Sequence, residues 1–167
     1  DYVAFSSRNI DHPHGMAFID EHTLVVANRT QFVSIFAVPP MGGTEKEFVI
    51  KPLRIIWRNR FRRLDSPGSV DVYPVGKGFY RLLICDNYAH VVTSALLNKK
   101  HNFRVSGHKT LLAKSLEIPD GVCVSADQKW IAISNHMPGT VFIYANAPDL
   151  NPESDPVATL LGMDCPH

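Results

Sequence analysis

The chain of 167 residues lacks most of what would place it quickly. No apolar run approaches the roughly 20 residues that a helix needs to cross a bilayer, so no membrane partner is expected. Charge of one sign is not in excess either: the net charge is +1, and no overall field favours nucleic acid or an anionic membrane surface. There is no Cys-x-x-Cys pair. The three cysteines, Cys85, Cys123 and Cys165, are an odd number without a disulfide framework. They read as reduced, mostly buried thiols, which fits a reducing compartment such as the cytoplasm. A Gly-x-Ser-x-Gly elbow, a P-loop, a Gly-x-Gly-x-x-Gly turn opening a helix and a His-Glu-x-x-His pair are all missing. Amphipathic helices are missing too, and only 94–100 has room for a helical turn. The chain begins at Asp1 without the basic-then-apolar layout of a signal peptide, so it is expected to be a processed or excised piece.

What is present is a repeat. At 118–135, a Pro-x-Gly step (Pro119, Gly121) opens the apolar run Val122-Cys123-Val124. A polar turn at 126–129 then leads into Trp130-Ile131-Ala132-Ile133-Ser134, which stops at Asn135. Proline is tolerated at a strand start, where its missing N–H costs no ladder bond, and the β-branched content favours strand over helix. The pattern recurs from Pro13 to Asn28 and, more loosely, from Pro67 to Asp86, and a fourth copy starts at Pro166. The spacings of 54, 52 and 47 residues between these prolines, with four strands per unit, are the signature of a β-propeller.

Taken in order, 2–10 is expected to be the outer strand of a preceding blade. The first unit adds strands at 31–38 and 46–57, with a break at Pro39-Pro40-Met41-Gly42-Gly43. The second adds strands at 88–94 and 108–117, and the third at 140–144 and 157–161. Arg54, Arg58, Arg60, Arg62 and Arg63 gather around Trp57 and Phe61. With net charge near zero they read as a solvated outer strand and inter-blade loop rather than a nucleic-acid patch. Asn28-Arg29-Thr30 has the form of a glycosylation sequon and is read as chance. Single-domain, all-β, an arc of about three four-stranded blades: that is the expected fold, half of a six-bladed ring. Three blades cannot close a ring. Either the chain is part of a longer one, the preferred reading, or two copies pair as a homodimer.

The Pro-x-Gly strands resemble those of the six-bladed propellers of the gluconolactonase, regucalcin and strictosidine synthase-like group and of the NHL-repeat proteins. The matches are Pro13-His14-Gly15-Met16-Ala17-Phe18 with Asn28, and Pro119-Asp120-Gly121-Val122-Cys123-Val124 with Asn135. The resemblance implies that the residue after each proline stands at the mouth of the central tunnel. There, lactonase members often place an Asn on calcium, and the NHL-type amidating lyase can place a His on zinc. This chain has His14, Gly68, Asp120 and His167 at those positions, a departure from the calcium pattern.

If the ring closes, His14, Asp120 and His167 converge on one axis. Two imidazoles and a carboxylate suit a divalent metal such as zinc or iron, with calcium implied only by the resemblance. The other reading is that these polar groups simply hydrate a tunnel. Asp71, a carboxylate on an otherwise apolar strand, needs a partner. It either faces the tunnel as an acid or base or pairs with an arginine. Asn28, Asp86 and Asn135 are expected to cap turns at the end opposite the strand starts. The functional expectation is a lactonase-like, metal-dependent hydrolase or lyase acting on a small molecule at the tunnel mouth, with a non-catalytic ligand- or protein-binding propeller as the alternative.

Overall fold

The computed structural model describes residues 4–39, 47–57, 64–164 and 166. Its strands in chain order are β1 (Ala4–Ser6), β2 (Pro13–Asp20), β3 (Thr23–Asn28), β4 (Phe32–Ala37), β5 (Glu47–Val49) and β6 (Pro52–Trp57). Then come β7 (Pro67–Gly76), β8 (Phe79–Asp86), β9 (Val91–Asn98) and β10 (Arg104–Leu112). The last are β11 (Pro119–Val124), β12 (Trp130–Asn135), β13 (Thr140–Ala145) and β14 (Ala158–Leu160). Twelve of them form three four-stranded antiparallel sheets, β2-β3-β4-β6, β7-β8-β9-β10 and β11-β12-β13-β14, and β1 pairs with β5 apart from these. Each four-stranded sheet is a propeller blade, and the chain is an all-β propeller arc. Among the described residues no helix is long and apolar enough to cross a membrane.

The first strand of each blade begins at Pro13, Pro67 or Pro119, and these three strands lie side by side as the inner wall. Gly15 makes the close approach possible. A Cβ there would stand 2.5 Å from the Ser69 Cα and 2.7 Å from the Gly68 carbonyl oxygen. The middle strand of blade two shows why the blades stack. Along β8, Leu82 and Ile84 point into a core shared with Val25, Ile35 and Ile56 of blade one. The intervening Leu83 and Cys85 point into a second core with Val122, Ile131, Ile133 and Tyr144 of blade three. A strand covered on both faces reads as a continuous apolar run, as Leu82-Leu83-Ile84-Cys85 does, instead of alternating. Burial, then the charges of Asp120 and Asp86, push the Cys85 thiol well up.

Several boundaries differ from the sequence expectation. Ala4–Ser6 pairs in parallel with Glu47–Val49, so the expected single strand at 46–57 is two strands with separate partners. The third strand of blade two runs on to Asn98 instead of ending at 94, a 3-10 turn follows at Lys99–His101, and the outer strand starts at Arg104. Tertiary pairing with β8 overrides the helix-friendly Ala95-Leu96-Leu97. Cys85 and Cys123 are both free, but Cys123 is exposed rather than buried. Of the arginine cluster, Arg54 donates from Nε and Nη2 to the Asn102 carbonyl oxygen at 3.0 and 2.8 Å, tying blade one to blade two. Arg58, Arg60, Phe61, Arg62 and Arg63 lie outside the described residues.

Candidate functional site

The inner strands bring their first residues together. His14, on β2, directs Nδ1 at the Gly68 carbonyl oxygen of β7, 2.7 Å away. A carbonyl only accepts, so Nδ1 carries the proton and Nε2 offers a lone pair. Arg29 donates from Nη2 to that Nε2 at 3.0 Å, and the same nitrogen lies 3.5 Å from Asp120 Oδ1. Asp120, first after the proline of β11, is buried, and its Oδ1 lies 3.8 Å from His14 Nδ1. It accepts from Asn87 Nδ2 at 2.5 Å. One residue from each inner strand and two from strand ends therefore meet as His14, Gly68, Asp120, Arg29 and Asn87.

Gly68 is the floor of this cluster. A Cβ there would collide with the Asn87 amide and stand 2.6 Å from Asp120 Oδ1. A cavity of about 400 Å³ borders the cluster on one side, with His14, Gly68, Asp120 and Cys123 in its wall. A hollow of about 250 Å³ borders it on the other, lined by Arg29, Asn87, Tyr88, Ile118, Asp120 and His136. Arg29 is part-exposed while Asp120 is nearly covered, so the guanidinium is the cluster's solvent-facing charge.

Of the residues expected to ligate a metal, His14 and Asp120 are brought together, and His167 lies outside the described residues. A divalent ion would need these two side chains and at least one further ligand. Among the described residues no three His, Cys, Asp or Glu side chains are grouped to hold one. The two atoms best placed to bind it, His14 Nε2 and Asp120 Oδ1, already face the Arg29 cation. Asp71 has a different set of partners from those expected. Its Oδ1 accepts from its neighbour's amide, Val72 N, at 2.7 Å, and its Oδ2 accepts from Val124 N of β11 at 2.6 Å. Ser69 Oγ likewise accepts from Val122 N at 3.2 Å. These two side chains of β7 stand in for a ladder that β7 and β11 do not form.

The strand-end residues correct the expected geometry. Pro13 pairs with Asn28, Pro67 with Asp86 and Pro119 with Asn135. An antiparallel hairpin returns the chain to the end at which it began, so these residues stand at the mouth with the strand starts, not opposite. All three are fully buried and bind the segment leading into their own inner strand. Asn28 Oδ1 accepts from Asp11 N, the Asp86 carboxylate from Asp65 N and Ser66 N, and Asn135 Oδ1 from Glu117 N. Burial also takes Asn28 out of reach of glycosylation in the folded chain.

Arg29 and Asn87 are the functional candidates that sequence reading missed. Each directly follows a strand-end Asx residue, as His136 does. Aligning the three repeats on Asn28, Asp86 and Asn135 instead of on the prolines marks all three positions.

No protein-family model matches the chain, and no curated protein matches it. Solved structures do. A Bacteroides fragilis protein described as a 6-phosphogluconolactonase superposes with a TM-score of 0.64 at 12% identity, over 92% of this chain and 40% of its own. A periplasmic gluconolactonase of Pseudomonas aeruginosa gives 0.56 at 12% identity, again over 92% and 40%. The hydrazine synthase of Kuenenia stuttgartiensis gives 0.53 at 14% identity, over 95% of this chain and 38% of its own. The chain thus spans about 40% of the length of the two lactonase structures. At these identities the likeness is one of fold alone, that of a β-propeller.

Proposed function

We propose that this arc contributes the small-molecule site of a lactonase-like hydrolase, and that the site is the His14–Arg29–Asp120 cluster at the tunnel mouth. The observation that carries the reading is the placement of a part-exposed guanidinium on the lone pair of a histidine whose tautomer is fixed from behind. A ligand rich in oxygen, such as a cyclic ester of a sugar acid, competes for the Arg29 N–H groups. When Arg29 turns to the ligand's carbonyl oxygen it does two things. It stabilises the charge that develops there, and it frees His14 Nε2 to accept a proton from the attacking water. Asp120, held by Asn87, keeps a negative charge behind the guanidinium and limits how far it moves.

The metal-dependent form of this reading, with His14, Asp120 and His167 as ligands of zinc, iron or calcium, requires Arg29 to leave Nε2 altogether. Initial rates of lactone opening, measured on a panel of aldonolactones with chelator and with each added metal, separate the two. The cluster reading expects chelator-resistant turnover that falls by about 10²-fold or more in His14→Ala and about as much in Arg29→Met. Chelator-sensitive turnover restored by one metal would favour the ligand set instead. Arg29 satisfies His14 and Asp120 within the cluster itself, which favours a second reading, a binding propeller. Saturable binding of the product acids without any turnover would establish it.

A further inference from the structure

The opposite end of blades two and three holds a second polar cleft. It is a cavity of about 280 Å³ lined by Tyr73, Arg81, Ser94, Lys109, Leu111 and Leu150, among others. The pairing of Tyr73 with Arg81 places it near the β7–β8 turn, away from the mouth at Pro67 and Asp86. Two cations, Arg81 and Lys109, share its wall, and among the described residues no acidic side chain lines it. Their partners are neutral. Arg81 donates from Nη1 to Ser94 Oγ at 3.2 Å, and Lys109 donates from Nζ to the Leu150 carbonyl oxygen at 3.5 Å. Among the described residues neither forms an ion pair, whereas Lys99, Lys114 and Lys129 each do.

Two like charges facing one cleft repel each other, and in a partly desolvated space that repulsion is felt more strongly than in water. Ser94 is almost wholly buried and accepts from Arg81, so its own O–H remains a donor directed by that bond. Tyr73 donates to Asn146 Oδ1 at 3.2 Å, and Asn146 Nδ2 donates to the Gln128 carbonyl oxygen at 2.9 Å, which fixes the cleft's far wall. Leu111 and Leu150, both largely buried, supply an apolar side. We infer that this cleft binds a small organic anion. Its carboxylate or phosphate head sits on Arg81, Lys109 and Ser94, and its apolar body lies against Leu111 and Leu150. The planar guanidinium suits either head through paired N–H donors.

The test is a titration at constant ionic strength with inorganic phosphate and, separately, butyrate. Backbone amide shifts of Arg81, Ser94 and Lys109 are followed in the wild type and in Arg81→Met, Lys109→Gln and His14→Ala. At least one probe is expected to saturate with a Kd of about 10 mM or tighter. Its binding should weaken about tenfold in both cleft variants and stay unchanged in His14→Ala. Saturation by phosphate alone assigns a phosphorylated ligand, and by butyrate alone a carboxylate. Lys109 is exposed, so Lys109→Gln keeps the test open even if Arg81→Met fails to fold. The inference is overturned if neither probe saturates, or if the Kd is the same in Lys109→Gln as in the wild type.

Discussion

At the scale of single residues, the site depends on what is left out as much as on what is present. Gly68 has no room for a methyl group because Asn87 and Asp120 occupy that space. Gly68→Ala is therefore expected to push the Asn87–Asp120 pair apart. It should lower stability by about 1–3 kcal/mol and weaken ligand binding at the mouth, read from urea melts and from titration of the same variant. Asp86 carries a separate load, since it alone accepts from both Asp65 N and Ser66 N. Asp86→Ala should cost about 3 kcal/mol through unsatisfied amides, with the loss visible as faster hydrogen exchange at residues 65 and 66. These residue-scale facts were only partly legible. His14 and Asp120 follow prolines in a visible repeat. Arg29 and Asn87 differ from each other in chemistry, so residue type does not single them out, and only the hairpin pairing brings them back to the mouth.

At the scale of elements, neighbouring blades are joined by side chains at positions where the backbone makes no ladder. Asp71 and Ser69 receive the amides of β11, and Asp20 of β2 meets Lys99 beyond β9 at 2.6 Å. Burial alone would raise the Asp20 carboxyl. The hydrogen bonds from Lys99, the His22 amide and Thr23 outweigh it and hold the group below its usual 3.8. The bond to Asp20 in turn raises Lys99 above 10.5. A depressed carboxyl gives stability that is complete above about pH 5 and is lost as pH falls through the folded value. Both side chains are part-exposed, so the gain is about 0.5 kcal/mol. The difference in urea midpoint between wild type and Lys99→Met should be constant from pH 5 to 9 and shrink toward zero as pH falls below the ordinary carboxyl value of 3.8 and through the lower folded one. Asp71→Ala bears on the role expected from sequence. A joint between strands predicts a stability loss of about 1–3 kcal/mol with the rate of the folded fraction unchanged, whereas an acid or base would lose the rate. The apolar character of β8 was readable, but its equal division between two cores follows only from having a blade on each side.

At the scale of the molecule, the interior joints suggest what the outer faces would meet. Met16 and Phe18 on β2 are 63% and 60% exposed. On blade three, Cys123, Ala132 and Val141 border the cavity of about 400 Å³ that reaches the mouth. Further blades, from a longer chain or from a second copy, would cover both faces as blades one and two cover each other. The arc by itself is expected to self-associate or bind a hydrophobic dye, and Met16→Glu with Phe18→Lys should reduce either, as measured by light scattering and dye fluorescence. The repeat made the blades legible from the prolines alone, because strand period and turn chemistry are local. The joints and the cluster were not, because they depend on which strand ends meet in space. The most direct measurement is calorimetric titration of an aldonic acid into the wild type, His14→Ala and Arg29→Met. The account predicts saturable binding in the wild type that weakens about tenfold or more in both variants. Equal binding in all three, or none in the wild type, would contradict a ligand site built on His14 and Arg29.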